Sequence, residues 1–194
     1  MPRRTAKTIS RSLIMDNNFD VIVIGAGPGG YVCAIRCAQL GLKTACVESE
    51  DILGGVCISK GCIPSKSLLH SSEMFHKAKK DFNNMGIEIT NPKLNLAKMM
   101  NNKNKSILML SKGIEFLFKK NKITHIKGKG YISKKNIVEV IDSSGKKNIY
   151  KVNKIVIATG SVPLSLQNVK IDEKTIVSST GALQFSKVPE KMIV

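Results

Sequence analysis

Asp20-Val21-Ile22-Val23-Ile24-Gly25-Ala26-Gly27-Pro28-Gly29-Gly30 is the stretch from which the architecture can be read. Val21 to Ile24 is a β-branched run ending at glycine, as expected of a short strand buried on both faces. Tyr31 to Leu40 follows with small residues and good helix formers, and Gly41 stops that helix. Lys43 to Glu48 then reads as a second strand ending on an acid, so a βαβ unit closes in under 30 residues. Gly25, Gly27 and Gly30 match GxGxxG: a tight turn, close approach to a pyrophosphate, and close helix–strand packing. The helix amino terminus offers free N–H groups and a partial positive charge to the phosphates. Glu48, 18 residues past Gly30, stands where it can accept hydrogen bonds from ribose hydroxyls. An acid there disfavours a 2′-phosphate and therefore NADP. A lone GxGxxG is weak evidence, but with both strands, the helix and the acid it marks a dinucleotide site. The fold class expected is α/β: a Rossmann-like parallel sheet with helices and a small β-meander.

The second focus is Gly54-Gly55-Val56-Cys57-Ile58-Ser59-Lys60-Gly61-Cys62-Ile63-Pro64-Ser65-Lys66. On an ideal helix, residues five apart point about 140° away from each other and sit roughly 8 Å apart. A disulphide needs Cα atoms within roughly 7 Å. If Cys57 and Cys62 are to exchange electrons, the backbone must bend between them, and Gly61 is the residue that permits it. Taken alone, the pair fits two buried free thiols equally well. Cys33 and Cys37, one turn apart in the small-residue helix, read as core filler.

Composition limits the alternatives. The 194 residues suffice for one sizeable core or one domain and part of another. No apolar run approaches the roughly 18 residues that span a bilayer. Five cysteines is an odd number, and no secretory signal opens the chain, which disfavours a secreted disulphide framework. No second CxxC-like pair or close histidine cluster accompanies Cys57 and Cys62, which disfavours a metal site. The net charge of +17 invites a nucleic-acid partner, yet 27 of the basic residues are lysines and only 4 are arginines. Three of those arginines, Arg3, Arg4 and Arg11, lie in the first 14 residues. Bidentate base and phosphate recognition favours arginine, and aromatic stacking platforms are scarce. Compositional drift toward Lys, Asn and Ile accounts for the charge, so neither nucleic acid nor membrane is expected as partner.

Met1 to Ile14 is basic, acid-free and rich in Ser and Thr, in the manner of a short organellar targeting segment. The competing reading, slightly preferred, starts the protein at Met15 and places it in a bacterial cytoplasm; the basic leader would place it in the mitochondrial matrix. Residues 1–18 are accordingly set apart as a basic extension. Further on, Ser65 to Lys80 reads as a helix with Leu68, Leu69, Met74 and Phe75 on its apolar face. Leu94 to Lys120 reads as a longer helical stretch interrupted by polar residues 101–105. Its apolar positions are Ile107, Leu108, Leu110, Ile114, Leu117 and Phe118, with the lysines forming a solvated face. Ile123 to Ile126 is strand-like and Gly128-Lys129-Gly130 bends the chain. Ile137 to Ile141 and Asn148 to Val152 flank the turn Asp142 to Gly145 as a hairpin. Ile155 to Ile157 reads as a buried strand leading into Ala158-Thr159-Gly160-Ser161. His70, His76 and His125 have no triad or ligand spacing. Val188 to Val194 looks like the start of another buried strand, at which the chain stops as if cut.

Together these residues resemble the flavin-dependent pyridine nucleotide-disulphide reductases, and within them the dihydrolipoamide-oxidising branch. Gly54-Gly55-Val56-Cys57 with Gly61-Cys62-Ile63-Pro64-Ser65-Lys66 is similar to the family's redox signature, and Pro64-Ser65-Lys66 favours that branch over the glutathione and mercuric types. Leu94-Asn95-Leu96, Lys98-Met99-Met100, Ala158 to Ser161, Thr175 to Leu183 and Val188 to Met192 add to the resemblance, which covers residues 19–194. It implies FAD at the first glycine loop, with Gly25, Gly27, Gly30, Glu48, Gly55, Gly130, Thr159, Gly160 and Ser161 as its cradle. It implies Cys57 as the interchange thiol, Cys62 against the flavin ring and Lys66 tuning the flavin. Electrons would run from dihydrolipoamide, carried by a 2-oxoacid dehydrogenase complex or a glycine cleavage system, to the disulphide, to FAD, then to NAD⁺ in a homodimer. Residues 19–187 would form an incomplete FAD and redox-disulphide domain, and 188–194 the start of an NAD-binding domain. The acid/base histidine of the family lies in the partner subunit beyond this stretch, so these residues alone are not expected to complete the reaction. A flavin-binding fragment active only with a complementary chain is the alternative. Val56 and Ser59 replace the signature's usual Thr and Asn, and Lys60 replaces an apolar residue, where its charge would favour a thiolate.

Overall fold

The computed structural model describes residues 18–194; the basic leader and Met15 lie outside that range. Six strands form one sheet in the order β3-β2-β1-β6-β5-β4. They are β1 (Asn18–Ile24), β2 (Thr44–Glu48), β3 (Thr124–Lys127), β4 (Lys129–Lys134), β5 (Ile137–Ile141) and β6 (Lys147–Ile157). The helices are α1 (Pro28–Gln39), α2 (Gly55–Ser59), α3 (Cys62–Lys80), α4 (Leu96–Lys120) and α5 (Ser179–Ala182), with a short 3-10 turn at Phe82–Met85.

β1, β2, β3 and the second half of β6 run parallel, whereas β4, β5 and the first half of β6 form an antiparallel meander. Two cores follow from the strand alternation. On one face Val21, Val23 and Cys46 meet Ala34 of α1 and Ile107, Ile114 and Phe118 of α4. On the other, Ile22, Ile24, Ala45 and Val47 meet Val138, Val140 and Val152, so the meander covers what helices leave open. Ile22 and Val23 are fully buried, each contributing about 1.5–3 kcal/mol from removal of apolar surface from water. The expected α/β, Rossmann-like arrangement with a meander is what the chain adopts.

Several elements differ from expectation. α1 begins at Pro28, because proline's fixed φ suits the first helical position and its missing N–H costs nothing there. α3 begins at Cys62, three residues early, with Pro64 inside its first turn. α4 is continuous through the polar run 101–105. Lys103, Ile107, Ser111, Ile114 and Phe118 follow one another at intervals of four, four, three and four, which forms one buried stripe. Lys103 thus leaves the expected solvated face: it is 5% exposed and donates from Nζ to the Leu183 carbonyl at 2.6 Å. Leu108, Leu110 and Leu117, expected in the core, are exposed, as are Leu69 and Met74 of α3. The two apolar segments at 148–152 and 155–157 are one strand, β6, and Ile157 at its end is 67% exposed rather than buried. Beyond residue 151, β6 pairs with β1 as its one strand partner; Asn136 meets the other edge at Val152 and Asn153, and no strand follows it toward Ile157. Residues 188–194 form no strand, and Ile193 is fully exposed.

Candidate active site

The glycine loop sits at the carboxyl ends of β1, β2 and β6. There the sheet order reverses direction after β1, which is where open α/β sheets place their ligands. Gly25 has φ +103°, and a Cβ built on it would lie 2.3 Å from the Ala158 carbonyl oxygen. The 158–161 loop is therefore pressed against the glycine turn, anchored by the Ala158 N–H to the Ile24 carbonyl at 2.8 Å. Gly30 packs so closely that a Cβ there would fall 1.8 Å from the Gly25 carbonyl oxygen. α1 has no acid in its first turn and no side-chain cap, so no side chain of its own first turn competes for an anion at its amino end.

Glu48 is buried and turned toward this loop. Its Oε2 accepts the Ala26 N–H at 2.8 Å, and its Oε1 accepts the Ser49 and Glu50 N–H groups at 2.7 and 3.0 Å. A carboxylate has about four lone-pair sites, so Oε2 retains capacity for a hydroxyl donor. Thr159, Gly160 and Ser161 form an exposed rim. Gly130 occupies a different setting: the side it leaves bare faces Ile24 and Val47, where a Cβ would be 3.1–3.2 Å from their methyl groups.

The cysteine stretch is docked onto the glycine loop. The Gly54 N–H donates to the Ala26 carbonyl at 2.9 Å, and a Cβ on Gly55 would lie 2.7 Å from the Gly27 Cα. Gly55 opens α2 with φ +63°, and Cys57 is its third residue. α2 ends at Ser59, whose hydroxyl donates back to the Gly55 carbonyl at 2.9 Å. Lys60 and Gly61 break the helix, and α3 restarts at Cys62. The bend falls where the cysteine spacing requires it.

Both cysteines are free thiols, Cys57 half-buried and Cys62 exposed. The hydrogen bond between their side chains, with burial second, pushes the Cys57 thiol above its ordinary value, while the Cys62 backbone N–H opposes this. Lys60, between the two cysteines, forms an ion pair with Glu50 at 3.6 Å. Lys66 lies one turn beyond Cys62 on the same exposed helix face.

Two supports escaped the sequence reading. The Leu53 N–H donates to Ser111 Oγ at 2.9 Å, which hangs the turn before α2 on the buried stripe of α4. Ser179 Oγ donates to the Lys60 carbonyl at 3.0 Å, holding the bend between the cysteines from outside. The regular spacing of the α4 stripe could have exposed Ser111 and Lys103; Ser179 lies in the stretch 175–183 that adds to the resemblance, but no local pattern announces its contact with Lys60. A hollow of about 490 Å³ lies behind this bend, lined by Ser59, Lys60, Lys103 and Thr180 among others.

Comparison with known proteins places this geometry in context. The family model for pyridine nucleotide-disulphide oxidoreductases matches residues 19–194. The mitochondrial dihydrolipoyl dehydrogenase of Pisum sativum is 52% identical over 175 residues, 90% of this chain and 35% of that protein. That of Bos taurus is 51% identical over 176 residues, and the leghemoglobin reductase of Vigna unguiculata is 53% identical over 175. The chain spans about a third of the length of the curated relatives it matches. The expectation of a bacterial cytoplasm is overturned, because these dehydrogenases are mitochondrial proteins of plants and mammals. The chain belongs to the pyridine nucleotide-disulphide oxidoreductase family.

Proposed function

We propose that this chain carries the flavin and redox-disulphide portion of a mitochondrial dihydrolipoyl dehydrogenase, with residues 19–187 as that portion and 188–194 opening an NAD-binding domain. The observation that carries the proposal is the docking of Gly54 and Gly55 onto Ala26 and Gly27, which brings Cys57 within one helical turn of the dinucleotide loop. FAD fits this cradle: glycines 25 and 30 let the loop close tightly against Ala158 and the start of α1, whose uncapped amino end suits phosphates, Glu48 Oε2 has a free lone pair for a ribose hydroxyl, and Thr159 to Ser161 form the facing rim. Gly130 would meet the nucleotide through its backbone. When bound, FAD supplies a two-electron acceptor between the cysteine pair and NAD.

The protein's own residues do the dithiol chemistry. In the oxidised pair, a thiolate of dihydrolipoamide attacks Cys57 Sγ, the Cys57–Cys62 bond breaks, and Cys62 leaves as a thiolate. The second lipoyl thiol then attacks the mixed disulphide at the lipoyl sulphur, releasing Cys57 and closing lipoamide. Two electrons pass to the cysteine pair, and the two lipoyl protons pass to a base or solvent. Lys66, on the face of Cys62, holds positive charge beside the site. The working partner is a homodimer mate, and the substrate comes on a 2-oxoacid dehydrogenase complex or glycine cleavage system.

Titration of the purified chain with FAD tests this reading. Bound flavin absorbance at one equivalent is expected, with weaker binding in Glu48→Ala; a colourless chain under saturating FAD would overturn it.

A further inference from the structure

We infer that Cys33 and Cys37 form a second dithiol site, on the half-buried flank of helix α1, that takes an organic trivalent arsenical across its two sulphurs. The two residues stand at i and i+4, and their Sγ atoms are 4.0 Å apart. Both are half-buried and unbridged, packed at the margin of the core that α1 shares with the sheet. They lie outside the Cys57 and Cys62 stretch, and no step of the proposed reaction uses them.

The ligand class follows from how many sulphurs the site offers. Zinc requires four ligands, and among the described residues no group of three His, Cys, Asp or Glu side chains is placed to hold a metal. Cys46, the next thiol, is fully buried, and its Sγ faces the Gly25 carbonyl at 3.6 Å. Burial, then Glu48 and Cys33, push its thiol up to about 12, so it remains protonated and uninvolved. A disulphide between Cys33 and Cys37 would draw the sulphurs to about 2.05 Å and would require an oxidant. An arsenoxide needs neither. Each thiol forms one arsenic–sulphur bond, the arsenic–oxygen bond breaks, and the oxygen leaves as water carrying both thiol protons. Arsenic stays trivalent, no electrons are transferred, and the bridging atom keeps the sulphurs apart.

The test uses phenylarsine oxide on the full chain with Cys57→Ser and Cys62→Ser, which removes the competing pair. Intact-mass measurement should find one adduct, stable to excess monothiol and released by 2,3-dimercaptopropanol. Peptide mapping should find Cys33 and Cys37 protected from N-ethylmaleimide. Adding Cys33→Ala and Cys37→Ala should abolish the adduct while the circular dichroism of the chain is retained. If either variant unfolds, the protection map on the unaltered chain decides. No adduct on a folded chain, an adduct displaced by monothiol, or protection at Cys46 instead would overturn the proposal.

Discussion

Cys57 and Cys62 illustrate what residues do once their surroundings are fixed. Their spacing announces a possible redox pair, but an uninterrupted helix would separate them; the break at Lys60 and Gly61 brings them together. Because the Cys62 thiol is the leading cause that raises Cys57, Cys62→Ala should lower the pH midpoint for alkylation of Cys57 by iodoacetamide. The sign is direct: a raised value delays the thiolate to higher pH, and removing its cause brings it earlier. An unchanged or higher midpoint would contradict this. Gly55 makes a second residue-scale case, with φ +63° and no room for a Cβ beside Gly27. Gly55→Ala should cost about 1–2 kcal/mol or more in urea unfolding, and should weaken flavin uptake beyond that loss. The glycine motif was legible in the sequence; the identity of its neighbours, Gly55 against Gly27 and Ala158 against Gly25, was not, because residues 28 and 133 positions apart meet only on folding.

Among elements, α4 is the clearest departure from pattern. Its polar run 101–105 looks like an interruption, yet the helix continues because only Lys103 of those five residues turns inward. Phe118, 2% exposed, closes the same stripe against the sheet. Phe118→Ala should lower the unfolding free energy by about 3–5 kcal/mol, read from the urea midpoint at unchanged slope. β3 supplies a pH dependence. One side of the His125 ring is covered edge-on by Phe118 although the residue is exposed, and this desolvation, with Lys127 next, holds the imidazole below its ordinary value of 6.5. The unfolded chain therefore binds the proton more readily than the folded one. The stabilising contribution is complete above 6.5 and is lost as pH falls through the depressed folded value. Thermal melts between about pH 7.5 and 5.5 should show this fall, and His125→Gln should flatten it.

At the level of the whole molecule, the sheet is protected unevenly. The meander and the helices cover β1 and β2, but the last residues of β6 pair on one side only, and Leu164 in the loop that follows is 94% exposed. Such surface favours association. Sedimentation velocity should find concentration-dependent self-association, reduced by Leu164→Lys; a monomer at all concentrations would contradict this. The βαβ unit, the hairpin at Asp142 and the redox stretch could be assigned from local pattern alone, because β-branched runs, glycine spacing and turn chemistry act over a few neighbouring residues. The burial of Lys103, the exposure of Ile157 and the clamp of Ser179 on Lys60 required the folded chain. Each depends on which distant segment arrives, or fails to arrive, against that face. Local periodicity specifies a face; only packing decides what covers it.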